Sequence, residues 1–189
     1  GLVINNGVWA NAGDISGISS GLFENFGTLS GNGVSVFGAD ARLANRAVGT
    51  ITLASNQQLQ VGGDGIISNA GTVTARALIN AGGVIQNDAS GIWNGSFSIL
   101  SGGSLNNAGT ITGNILNRGS LSSGGIINGV LTNEQGASAS LSGFLNGNVF
   151  NSGQISLVGT TNGIATLDQT STGAFDMGGI DTRIGALQG

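Results

Sequence analysis

The sequence predicts an all-β solenoid with coils of about 20 residues, on three observations. A phrase of the form Asn-x-Gly-polar-aliphatic recurs along the chain, as at Asn69 and again at Asn107. Between these phrases, apolar and polar residues alternate over short spans such as "GTITLAS" and "SFSIL", a pattern typical of β-strands. Glycine supplies 37 of the 189 residues, and so much glycine disfavours stable helices.

The recurring phrase marks the period of the repeat. Its short form occurs at Asn11, Asn25, Asn69, Asn107, Asn117 and Asn151. A looser form, in which glycine comes later, occurs at Asn45, Asn87 and Asn133. The mean period is about 21 residues along the series Asn25, Asn45, Asn69, Asn87, Asn107, Asn133 and Asn151. We therefore expect roughly seven to nine coils, each giving two or three strands to parallel sheets with strands about 4.8 Å apart.

Each phrase is predicted to form a corner of a coil. Asparagine caps its own turn, and glycine adopts positive φ without steric cost. Equivalent turn positions are expected for Asn69, Asn107 and Asn151, with positive φ at Gly71, Gly109 and Gly153. The aliphatic residues that follow are expected to point inward: Val73, Ile111 and Ile155. Stacked asparagine side chains are expected to hydrogen-bond along the axis as a ladder.

Composition excludes many chemistries. The chain has no Cys, His, Tyr or Lys, so disulfides, zinc sites of the usual kind and catalysis by Ser-His, Cys-His or Lys are excluded. Net charge is −4 with scattered arginines, which disfavours nucleic acid and anionic membranes as partners. No apolar run approaches the roughly 20 residues of a membrane helix. We expect no enzyme activity, no cofactor and no membrane insertion of this segment.

Carboxylates are the remaining acid–base groups, and two of them suffice to hydrolyse a glycosidic bond. They are Asp14, Glu24, Asp40, Asp64, Asp88, Glu134, Asp168, Asp176 and Asp181. The spacing of Asp14, Asp40, Asp64 and Asp88 is close to one coil at each step, and these four would hold calcium if they stacked in a column. Each sits in a turn-like segment where aspartate commonly makes an Asx turn. We favour turns, including "GGDG" at 62–65, and assign no catalytic or metal-binding residue.

Two further patterns have alternative interpretations. The aromatic residues Trp9, Trp93, Phe23, Phe26, Phe37, Phe97, Phe144, Phe150 and Phe175 are expected to fill the core or cap an end. An exposed row of them beside polar residues would instead suggest sugar binding. Thr-x-Thr elements begin at Thr50, Thr72 and Thr110. A regular array of them would suggest ice binding, but in the sequence they alternate with unrelated strands.

The phrases "NAGTITG", "NRGSLSS" and "NSGQISL" resemble those of bacterial autotransporter passenger domains and related large secreted adhesins. The resemblance covers roughly Asn11 to Val158 and implies a right-handed parallel β-helix displayed on the surface of a Gram-negative cell. It also implies a C-terminal outer-membrane barrel in the full-length protein. Because the chain begins in mid-pattern, we expect an excised piece of a longer protein. Residues 1–158 are expected to form the coils, and residues 159–189 to form atypical coils or a C-terminal cap of the same domain.

The expected function is adhesion or self-association, as in aggregation and biofilm formation during virulence. The partner would be another copy of the chain or a host or matrix surface. Low charge favours like-with-like contact, since little repulsion opposes it. Two alternatives remain open: a β-helical polysaccharide lyase or glycoside hydrolase, and an inert stalk that spaces another domain from the membrane.

Overall fold

The computed structural model describes residues 1–11, 15–158, 163–178 and 184–188. These residues form strands numbered β1 to β27 in chain order. They form no helix, and so none that would cross a membrane. Neighbouring strands pair in parallel, each with its equivalent in the next coil, to build three sheets that we name A, B and C. The predicted parallel solenoid is confirmed.

Most coils contribute one strand to each sheet, in the order A, B, C. Sheet A contains β1 (Leu2–Asn5), β4 (Gly21–Asn25), β7 (Ala41–Asn45), β10 (Ile66–Asn69), β13 (Val84–Asn87), β16 (Ser104–Asn107), β19 (Ser120–Ser123), β22 (Ser138–Leu141), β24 (Gln154–Leu157) and β26 (Ala174–Asp176). Sheet B contains β2 (Val8–Asn11), β5 (Thr28–Gly31), β8 (Thr50–Leu53), β11 (Thr72–Thr74), β14 (Ile92–Asn94), β17 (Thr110–Thr112), β20 (Ile126–Asn128) and the first part of β23 (Phe144–Asn151).

Sheet C contains β3 (Ile15–Ile18), β6 (Val34–Phe37), β9 (Gln58–Gly62), β12 (Arg76–Ile79), β15 (Phe97–Ile99), β18 (Ile115–Asn117), β21 (Leu131–Asn133), the second part of β23, β25 (Ile164–Gln169) and β27 (Ile184–Gln188). The uninterrupted strand β23 therefore joins sheets B and C in one coil. The ten strands of sheet A give about nine coils, within the predicted range. Coil length varies, since the sequence separation of stacked partners is 16 for Asn107 and Ser123 but 24 for Asn45 and Asn69.

The core is a set of stacked side chains that point inward from the sheets. In sheet B the buried stack contains Leu29, Ile51, Val73, Trp93, Ile111, Ile127 and Leu145. The Trp93 indole nitrogen donates a hydrogen bond to the carbonyl oxygen of Ala75 at 2.9 Å, so its polar atom is satisfied in the core. Val73, Ile111 and Ile155 are buried as predicted.

Two of the three corners that connect the sheets recur in the description below. The A–B corner lies between the sheet A and sheet B strands of one coil, and the C–A corner leads from sheet C into the next coil. Glycine is needed at the corners because successive coils approach closely there. A Cβ atom on Gly71 would lie 2.2 Å from the carbonyl oxygen of Gly49, and one on Gly125 would lie 2.1 Å from that of Gly109.

The predicted positive φ at Gly71, Gly109 and Gly153 is wrong, because none of the three adopts it. A Cβ atom on Gly109 would instead lie 2.3 Å from the carbonyl oxygens of both Asp88 and Gly91. Glycine is required at these positions by the space available between coils. The sequence pattern identified the correct residues, but for a different physical reason.

Candidate functional site

Two ladders of buried amides stabilise the corners. The first lies at the A–B corner and contains Asn5, Asn25, Asn45, Asn69, Asn87 and Asn107. Each Nδ2 donates to the Oδ1 of the next coil at 2.7–2.8 Å, and Asn107 donates to the Ser123 hydroxyl at 3.0 Å. The Nδ2 of Asn45 also donates to the carbonyl oxygens of Gly49 and Thr72. The ladder thus satisfies polar groups that would otherwise be buried without partners.

The second ladder lies at the C–A corner and contains Asn117, Asn133, Asn151 and Gln169, with distances of 2.8 Å between successive amides. Asn69 and Asn107 occupy equivalent positions as predicted, but Asn151 does not, because it belongs to this other corner. The short phrase therefore forms both corners.

The outer face of sheet B is the longest surface without charge among the described residues. Its outward positions form two rows along the axis. The first row contains Val8, Thr28, Thr50, Thr72, Ile92, Thr110, Ile126 and Phe144, and the second contains Ala10, Ser30, Thr52, Thr74, Asn94, Thr112, Asn128 and Asn146. We name these two rows the B face. It presents apolar, hydroxyl and amide groups only.

The charged residues that the structure describes lie on other surfaces. Sheet A carries Glu24, Arg42 and Asp176, and sheet C carries Arg76 and Asp168. The corners carry the rest: Asp40, Arg46, Asp64, Asp88, Arg118 and Glu134. Arg46 pairs with Glu24, and Arg118 pairs with Glu134 at 2.7 Å. The hydrogen bond from Arg118 lowers the pKa of the Glu134 carboxyl, and the same bond raises the pKa of Arg118.

The candidate acidic column does not form among the described residues. Asp40 and Asp64 lie at the C–A corner, whereas Asp88 lies at the A–B corner, where its carbonyl oxygen accepts from the amide of Gly91. Asp14 and Asp181 fall outside the described residues. In the described part of the chain, no three acidic side chains are grouped closely enough to hold a metal ion. The "GGDG" segment is a turn in which Asp64 has a φ of 65°.

The aromatic residues are divided between the core and the surface. Trp93 and Phe97 pack together in the core with ring centroids 4.9 Å apart. Phe23 is also buried, and it contacts Trp9 at the first coil. Trp9, in the first coil, is exposed. The prediction that the aromatic residues fill the core also does not hold for Phe26, Phe37, Phe144 and Phe150, which are exposed. These four do not form one row, because Phe144 belongs to sheet B and Phe150 to sheet C.

The structure brings the Thr-x-Thr elements together, which the sequence order had concealed. Thr50 and Thr72 are direct neighbours in sheet B, and only Ile92 separates Thr72 from Thr110. The strands that separate Thr50 from Thr72 in sequence, β9 and β10, belong to sheets C and A. A fixed repeat period applied to outward positions would have found the row if the coils were equal in length, but their variation hides it.

No family model and no curated protein matches the chain. A comparison of structures finds similarity to the crystal structure of a TibC-catalysed hyper-glycosylated TibA55-350 fragment. The two chains are 15% identical, the match covers 100% of each, and the TM-score is 0.26. Such a TM-score does not establish a shared fold. The assignment of this chain as a parallel β-solenoid therefore rests on its own paired strands and stacked core.

Proposed function

We propose that this chain is a surface-exposed, secreted β-helical segment without enzyme activity that associates with further copies of itself through the B face. The observation that carries the proposal is the absence of charge from both outward rows of that face, over eight successive coils of the described chain. Desolvating such a surface costs less than desolvating charged groups, and no like-charge repulsion opposes the contact of two copies.

A second copy also matches the B face in its repeat. Two solenoids share the same rise of about 4.8 Å per coil, so rows of side chains mesh over their whole length. The methyl groups of Thr50, Thr72 and Ile92 would interdigitate as side chains do between paired sheets of identical repeat. A ligand with another repeat would lose register after a few coils.

The size of the face sets the strength of the contact. Seven steps of 4.8 Å give a length of about 34 Å, and two rows give a width of about 10 Å. A contact of roughly 350 Å² per copy is well below the roughly 800 Å² per partner of a stable complex. Single pairs should therefore be weak, and adhesion should require many copies displayed together on one surface.

The test compares two variants of equal net charge. In one, Thr52→Arg and Asn94→Arg place two cations on the B face; in the other, Gln60→Arg and Ser98→Arg place them on the same two coils of sheet C. Each variant changes the formal net charge from −4 to −2 (−4 + 2). Beads coated with each protein are mixed, and their clustering is measured by light scattering in low salt.

We expect the parent and the sheet C variant to cluster the beads, and the B-face variant to cluster them at least ten-fold less. Added salt should partly restore the B-face variant, because screening weakens the new repulsion. Equal loss in both variants, or no loss in either, would contradict the proposal. Circular dichroism of both variants confirms that the solenoid is retained before the beads are compared.

A further inference from the structure

A polar groove runs along the edge of sheet A beside the A–B corner. It is open to solvent, has a volume of about 500 Å³ and is lined by Gln86, Asp88, Asn106, Ser122 and Ser142, with the buried Asn87 and Asn107 of the first ladder beneath them. Gln86, Asn106 and Ser122 belong to successive strands and pair in register. They therefore project side by side over about 10 Å, two coil steps.

The groove arises from a change in corner length. Asn87 and Gly91 are separated by a three-residue exposed turn that contains Asp88 and closes with a hydrogen bond from the Gly91 amide to the Asp88 carbonyl oxygen at 2.7 Å. The Ser90 hydroxyl donates to the carbonyl oxygen of Ala70 at 2.8 Å and fixes this turn. The next two A–B corners are shorter, and one of them presents Gly124 without a side chain. The turn at residues 88–90 thus projects beyond the two shorter corners that follow it and forms one end of the groove.

The polar side chains of this groove are free to bind. Within the described part of the chain, Gln86, Asp88 and Asn106 make no side-chain hydrogen bond to another protein group, whereas the ladder amides beneath them are fully engaged. Amides and hydroxyls both donate and accept, and a carboxylate accepts strongly. Together they match a ligand whose own groups both donate and accept in close succession.

The other ligand classes fit poorly. No arginine is present among the residues that wall the groove, so a phosphate or carboxylate would meet only the negative charge of Asp88. Asp88 is also the one carboxylate there, and calcium takes six to eight oxygen ligands, usually with several carboxylates. The groove contains no large apolar side chain that would hold an aliphatic or aromatic ligand, because Ala108 and Gly124 are the only non-polar residues of the described chain that line it.

We propose that this groove binds a neutral saccharide unit, with Asp88 accepting hydrogen bonds from two adjacent hydroxyls and with Gln86 and Asn106 bonding to the ring substituents. The volume of about 500 Å³ is in the range of small-molecule sites. The site is separate from the B face, since its side chains project from sheet A and from the corner. It gives the chain a carbohydrate-binding activity in addition to self-association.

The experiment titrates the isotope-labelled chain with the methyl glycosides of glucose, galactose, mannose and N-acetylglucosamine, and records the side-chain amide signals by NMR. We expect at least one glycoside to shift the Gln86 and Asn106 side-chain amides with a dissociation constant below about 10 mM. The variant Asp88→Asn should weaken that binding at least ten-fold. Asp64→Asn, a turn aspartate at the other corner, is the matched control and should bind as the parent does.

A blocking variant supplies a second readout. A Cβ atom on Gly124 would meet only the Ser142 hydroxyl oxygen at 3.3 Å, so Gly124→Gln should fold and place its side chain in the groove. We expect it to abolish the shifts while its melting temperature stays close to that of the parent. The proposal is overturned if no glycoside binds, if Asp64→Asn weakens binding as much as Asp88→Asn, or if Gly124→Gln binds normally.

A calcium titration gives one further decisive outcome. If calcium chloride shifts the Gln86 and Asn106 amides and the glycosides do not, the groove is a cation site and the proposal is wrong. The titration reports binding by single molecules, whereas bead clustering reports association between copies. Failure of the saccharide proposal therefore leaves the B-face proposal intact, and the reverse also holds.

Discussion

The N-terminal and C-terminal parts of the solenoid fill the A–B and C–A corners in opposite ways. From Asn5 to Asn107 the A–B corner carries the amide ladder, while the C–A corner carries buried aliphatics such as Val61 and Ile79. Beyond Ser123 the pattern is reversed. The A–B corner continues with Leu141 and Leu157, and the amides lie at the C–A corner.

The exchange takes place where the two ladders overlap. Asn107 and Asn117 belong to one coil, so that coil carries an amide at both corners. Asn117 stands directly on Ile99, and the ladder that ends at Ser123 is followed by Leu141. A buried side-chain amide at a corner is fully hydrogen-bonded only when the coils above and below it supply a donor and an acceptor. The amides therefore occur at the same corner in consecutive coils, and they move from one corner to the other once. Each of these coils therefore has a hydrogen-bonded polar side chain in at least one corner, and that corner differs between the two parts of the solenoid.

The largest effect is expected at the corner glycines, which both parts of the solenoid require. Gly109→Val should destabilise the protein by about 3 kcal/mol or more, because even its Cβ atom would lie 2.3 Å from two carbonyl oxygens. Gly153→Val at the other corner should cost a similar amount, since its Cβ atom would lie 2.4 Å from the carbonyl oxygen of Glu134. Thermal and denaturant unfolding measure the loss of stability in both variants. An unchanged melting temperature in either variant would contradict the close approach, and Gly124→Ala is the tolerant control.

The next effect concerns the interior of a ladder. Asn87→Leu should cost about 3 kcal/mol, because the Nδ2 of Asn69 loses the shorter of its two hydrogen bonds and the Oδ1 of Asn107 loses the donor from Asn87 in a buried region. The isosteric leucine fills the volume but makes no hydrogen bond. Denaturant unfolding gives the loss, and a change below about 1 kcal/mol would show that the ladder contributes little.

A smaller effect is expected at the point where the amides change corner. Asn117→Ile should cost about 1 to 2 kcal/mol, because Asn117 is the first member of its ladder and already packs on Ile99. No side-chain amide of the preceding coil loses an acceptor, and the losses include the donor to the Oδ1 of Asn133 and the acceptor of the Gly119 backbone amide. If this variant were as unstable as Asn87→Leu, position within the ladder would not determine the cost. Denaturant unfolding of both variants under the same conditions shows which of them is less stable.

The smallest effect concerns the exposed pair of Arg118 and Glu134 beside the second ladder. Its hydrogen bond lowers the pKa of Glu134 from the ordinary 4.5. A lowered folded-state pKa means that the contribution to stability is present above that ordinary value and is lost as pH falls through the folded-state pKa. Glu134→Gln should therefore lower the melting temperature slightly at pH 7 and by less at pH 3. A difference that is equal at both pH values would show that the charge of Glu134 is not responsible.

Particular residues show how much of this could be predicted from sequence. The inward positions of Val73, Ile111 and Ile155 follow from local alternation and were predicted correctly. The prediction that Asn151 and Asn69 occupy equivalent positions was wrong, because the phrase Asn-x-Gly is the same at the A–B and C–A corners. The groove beside Asp88 was missed as well. Residues from three neighbouring strands line it, and it is open because the turns of successive coils differ in length. The sequence of a single coil indicates neither feature.

The sequence by itself determined the solenoid, the parallel strands and the use of Asn and Gly at corners, because each depends on a few neighbouring residues that repeat. Tertiary structure alone decided which corner each asparagine occupies, which outward residues share a face and where a groove opens. The physical reason is the variable coil length, which breaks any fixed sequence period: stacked partners are separated by 16 at Asn107 and by 24 at Asn45. The hydrogen-bonded register between coils restores the alignment, and so Thr50, Thr72 and Thr110 lie on one uncharged face.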